Sequence, residues 1–164
     1  LADIGYNVQS SGSDGGDMFD FAVIEGSWLN PQTAGEGIFL DHGPSLDMLF
    51  AAWFTFTMTP GAVDDPGANV GDADQRWLTA LLEFDPATGT ATGTLMSRHG
   101  GEFDAPPRSG EGNDPVGTIS INFSACDQAH VEYTLDTINV SGGFDIEPLE
   151  RQVNPEGFTC RSQQ

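Results

Sequence analysis

From Phe19 onward, apolar and polar side chains alternate with a period of two in one segment after another, and no stretch carries an amphipathic pattern of helical length. This restricts the chain to antiparallel β-structure in which each strand buries one face. Strands are predicted at about 22–30, 36–42, 46–57, 76–85, 90–98, 116–124, 129–136 and 138–151. In the sixth, Ile119, Ile121 and Phe123 alternate with Thr118, Ser120, Asn122 and Ser124; in the seventh, Val131, Tyr133 and Leu135 alternate with His130, Glu132, Thr134 and Asp136. The third, from Leu46 to Phe56, is apolar on both faces and is expected to be covered on both sides. His42 to Ser45, Pro86 to Gly89 and Ala125 to Gln128 have the composition of tight turns.

A chain of 164 residues builds one domain of ordinary size. The expected fold is all-β, a single antiparallel up-and-down barrel of about eight strands at residues 19–164. It follows a flexible Ser/Gly/Asp-rich linker or tether within residues 1–18. In such a barrel successive connections alternate between the two ends. Here that alternation sorts them by length. Connections 43–45, 86–89 and 125–128 fall at one end, whereas 31–35, Met58 to Gln75 and His99 to Asp114 fall at the other. The long loops thus gather at one end, the usual location of a ligand site in a small barrel.

Twenty-five acidic side chains face five basic ones, all arginine, for a net charge of −20. Phosphate backbones and anionic bilayers are bound through lysine and arginine, so neither nucleic acid nor an anionic membrane is an expected partner. No apolar run has the roughly 20 residues needed to span a bilayer. The acid excess has two readings: a solvated surface, or carboxylates clustered to hold cations.

Clustering favours the second reading at one place. Asp64, Asp65, Asn69, Asp72 and Asp74, with Gly67 and Gly71 between them, supply the hard oxygen donors and sharp turns that calcium takes, although not in EF-hand spacing. The alternative is an acidic solvated loop. Asp14, Asp17 and Asp20 form a weaker set of the same kind. No other cofactor is expected. Zinc-protease, nucleophile-elbow and phosphate-loop signatures are absent, and the three histidines are far apart in the sequence. His99 with Glu102 is the one pair with general-base chemistry, and the expectation is a protein that is not an enzyme.

Cys126 and Cys160 are the only cysteines. An even count, in an acidic chain without lysine that opens on leucine, fits an exported protein with a disulfide; two buried thiols are the alternative. Asn122 and Asn139 head glycosylation sequons inside predicted strands and carry little weight.

The spacing of Gly26-Ser27-Trp28-Leu29-Asn30-Pro31, Gly35-Glu36-Gly37-Ile38, Ala52-Trp53-Phe54-Thr55-Phe56, Arg76-Trp77-Leu78, Val116-Gly117-Thr118-Ile119 and the Phe123 to Asp127 segment resembles a Gly/Trp-patterned domain of secreted proteobacterial proteins. The resemblance covers roughly residues 25–160 and departs from the pattern between Phe56 and Arg76, where a short turn becomes a long acidic insertion. It implies a secreted, bacterial β-barrel and no assigned chemistry. Gly26 and Trp28 with Arg151 also resemble the signature of the calycins, the lipocalins and avidins, in which an arginine packs on the first-strand tryptophan. The competing arrangement has Trp28 in the core and Arg151 on the surface. Leu1 to Tyr6 resembles the closing segment of catalytic domains in secreted zinc metalloproteases.

The expected function is therefore a non-catalytic accessory or recognition domain of a secreted protein. A glycan, peptide or surface ligand would sit at the loop-rimmed mouth, contacted by Trp77, Arg98, Glu102 and Phe103. The alternative is a structural, self-associating unit of an extracellular assembly.

Overall fold

The computed structural model describes residues 24–43, 48–56, 75–101, 104–106 and 111–149. They form β1 (Gly26–Leu29), β2 (Gly37–Gly43), β3 (Met48–Phe56), β4 (Gln75–Asp85), β5 (Thr90–His99), β6 (Gly112–Ala125), β7 (Gln128–Leu135) and β8 (Val140–Pro148). Each strand pairs antiparallel with the next, and β8 returns to β1 through Trp28 opposite Pro148 and Leu29 opposite Glu147. The result is a closed up-and-down barrel. Each described strand has two neighbours, although the four residues of β1 cover only the end of β8.

The interior is a packed core of the kind an eight-stranded barrel encloses. Trp28, Ile38, Leu40, Leu49, Ala51, Trp53, Leu82, Leu95, Ile121, Val131 and Ile146 are buried in it. Two aromatic groups fill its ends. Near the short turns the Trp28 indole meets Phe123 edge-on at 5.5 Å, and Phe123 meets Phe84 at 6.1 Å. Toward the end with the longer connections Trp53 packs on Tyr133 at 4.9 Å and on Phe144 at 5.5 Å. The Trp28 N–H donates to the Ile24 carbonyl at 2.9 Å. The Trp53 N–H is buried with no hydrogen-bond partner among the described residues, at a cost of about 1–3 kcal/mol.

Local chemistry explains the turns. The Asn30 side chain accepts from the Gln32 N–H at 2.9 Å, an Asx turn that reverses the chain at Pro31. Gly35, at φ 86°, then sits so close to the Phe56 ring that a Cβ would meet it at 3.0 Å. Glu36 accepts from the Thr55 hydroxyl, tying this connection to the end of β3. Between β4 and β5, Asp85 accepts from the Ala87 N–H at 3.0 Å and the Thr88 hydroxyl at 2.9 Å.

Three expectations are corrected. β6 begins at Gly112 rather than near residue 116, so the connection from β5 is 100–111, shorter than His99 to Asp114. The ladder continues past Pro115 because the register shifts between Leu95 and Met96, and a bulge is where a strand tolerates a residue without an N–H. β1 is short, starting at Gly26 with φ 118°, where most side chains are disfavoured. Finally, β3 is not covered on both sides. Leu49, Ala51 and Trp53 point inward and are buried, whereas Phe54 and Phe56 on the other face are about half exposed.

Candidate functional site

Eight large apolar side chains are exposed among the described residues, and seven share one half of the outer wall: Leu29, Phe39, Phe54, Phe56, Trp77, Leu81 and Leu149. They come from β1 to β4 and the end of β8. Register aligns the central row. Leu29 stands opposite Gly37, Gly37 opposite Phe54, and Phe54 opposite Trp77. The Phe54 and Trp77 rings lie within 20° of parallel, centroids 6.3 Å apart, at 50% and 59% exposure. Gly37 leaves a notch in this row because a Cβ there would approach the Trp28 carbonyl oxygen to 2.6 Å. The notch opens into a groove of about 280 Å³ lined by Leu29, Gly37, Phe39, Phe54 and Leu149.

The row lies at the ends of β1, β3 and β4 that adjoin the 30–36 and 57–74 connections. Trp77 is therefore at the end the sequence predicts, but its side chain is turned to the outer wall, while Leu78, Ala80 and Leu82 alternate with it into the core. Arg98 stands one residue past the Leu78–Ser97 pair, beside Trp77 on the outward face, and bonds Glu111 at 3.0 Å. His99 meets Asp114 at 2.8 Å. Glu102 and Phe103, the remaining expected contacts, lie outside the described residues. So do the candidate calcium ligands Asp64, Asp65, Asn69, Asp72 and Asp74, and Arg151 and Cys160. Among the described residues no group of three or more His, Cys, Asp or Glu is placed to hold a metal ion. No described cysteine is free.

Sequence reasoning missed Phe54, whose signal lies in the alternation of β3. Once Leu49, Ala51 and Trp53 are assigned inward, Phe54 and Phe56 must face out.

The class this defines is a closed, eight-stranded, up-and-down antiparallel barrel with a filled interior and an aromatic outer wall. Comparison with protein-family models, curated proteins and solved structures finds no match.

Proposed function

We propose that this chain is a non-catalytic recognition domain of a secreted protein, and that it holds a neutral glycan on its outer wall against Phe54 and Trp77. The observation that carries this reading is the near-parallel, half-exposed ring pair, a flat surface on which the C–H face of a sugar can stack. Charge supports it, since a net charge of −20 disfavours anionic polymers and does not penalise a neutral one. Titration of the folded protein with soluble neutral polysaccharides such as dextran, glucomannan and hydroxyethyl cellulose, followed by tryptophan fluorescence, tests this. Binding to at least one, lost in Trp77→Ala, is expected; no binding to any overturns it.

A second reading, self-association in an extracellular assembly, is favoured by the breadth of the apolar wall, which reaches Phe39, Leu81 and Leu149 beyond the rings. A solution mass that rises with concentration supports it.

Secretion and a Cys126–Cys160 disulfide belong to the same proposal. They are supported by the lysine-free acidic composition and by the direction of β8, whose chain leaves the barrel at the end that carries the Cys126 turn. Calcium at Asp64 to Asp74 rests on the donor set alone, and a raised melting temperature at millimolar calcium is its test.

A further inference from the structure

The half of the wall opposite the aromatic row has the reverse chemistry. Thr92, Thr118, Ser120, Glu132, Thr134 and Ser141, from four consecutive strands, line an open groove of about 770 Å³. The register makes it continuous: Thr92 faces Ser120, Ser120 faces Glu132, Thr118 faces Thr134, and Thr134 faces Ser141. Inward-facing glycines shape the groove. A Cβ on Gly93 would lie 2.3 Å from the Leu81 carbonyl oxygen, one on Gly117 1.7 Å from that of Thr134, and one on Gly142 2.8 Å from the Tyr133 hydroxyl. Glycine marks such sharp bends at barrel corners, and here the bends frame a concave outer surface.

We propose that this groove is a second binding site, for a short oligosaccharide that carries a protonated amino group. Four strands about 4.8 Å apart give a floor long enough for a few sugar rings. The hydroxyls of Thr92, Thr118, Thr134 and Ser141 make no hydrogen bond to described residues, so their donors and acceptors are available to a hydroxylated ligand. Glu132 stands among them without a basic side chain in the lining, which fits an ammonium group and disfavours a carboxylate or phosphate. A single carboxylate is too few for a bare calcium ion. The nearest imidazole on the same face, His130, is paired with Asp145 at 2.6 Å. The site lies apart from the Phe54–Trp77 row and does not depend on it.

Calorimetric titration of the full chain with a tetramer of glucosamine and its fully N-acetylated counterpart tests the proposal. Both runs use mildly acidic buffer with enough salt to screen exposed charge. Wild type is expected to bind the amino form about tenfold more tightly than the acetylated form, the value of one charge-assisted hydrogen bond. Glu132→Gln should abolish that preference with an unchanged circular dichroism spectrum, and Thr118→Val should weaken both ligands. Absence of binding, an unchanged preference in Glu132→Gln, or equal displacement by the linear polyamine spermine would overturn it.

Discussion

Phe54 and Trp77 occupy directly opposed positions on β3 and β4, both turned away from the core, with ring planes 20° apart. Two large aromatics in that position bury little surface for the fold and present much of it to a ligand. Trp77→Ala and Phe54→Ala should therefore each cost about 1 kcal/mol of stability or less, while each lowers glycan affinity tenfold or more. Paired denaturant melts and binding titrations check this; a variant that unfolds before it loses binding makes the ring pair structural.

The two buried tryptophans are predicted to respond differently to the same change. Trp28→Phe loses both indole volume and the 2.9 Å bond to Ile24, leaving that carbonyl oxygen without its donor. Trp53→Phe loses volume but also removes an N–H that has no acceptor among the described residues. The first should destabilise more than the second by about 1–2 kcal/mol, measured by urea unfolding. Equal losses would show that the Trp53 N–H is satisfied in solution.

The alternation of apolar side chains made the barrel legible because period two assigns faces as well as strands. The bounds agree to one residue at β4 and β5, the alternation is clean in β7, and the reading departs at the start of β6, where Pro115 reads as a loop residue. Its place in the ladder depends on a bulge at Val116, passed over between Gly117 opposite Leu95 and Pro115 opposite Met96, which shows only once β6 is laid against β5. The candidate site was half legible. Trp77 was identified from its position, but its outward aim and its pairing with Phe54 follow from the register of β3 against β4. The hydroxyl groove was not legible at all, since Thr92, Glu132 and Ser141 lie far apart in sequence and meet only when β5 to β8 close side by side.

Gly117 is the tightest of the inward glycines. Its Cβ would sit 1.7 Å from the Thr134 carbonyl oxygen, and backbone cannot move aside as a side-chain end can. Gly117→Ala should cost about 3 kcal/mol, the upper part of the range for overpacked sites. Gly101, where an added Cβ meets nothing within 4 Å, supplies the control, and Gly101→Ala should stay within about 0.5 kcal/mol of wild type. Thermal unfolding of the two variants side by side checks the contrast.

The proposed disulfide is the last quantity the fold makes testable. Cys126 lies in the turn between β6 and β7, and antiparallel order brings the exit of β8 to that same end, with Ala129 opposite Ile146. A bond from Cys126 to Cys160 would close a loop of intermediate length and stabilise the native chain by about 3–4 kcal/mol through the entropy removed from the unfolded ensemble. Cys160→Ser should then lower the melting temperature by about the same amount as chemical reduction, and the two treatments should not add, because each removes the same constraint. Titration of the denatured, unreduced protein should find no free thiol. Two free thiols, or additive losses from mutation and reduction, would remove the bond.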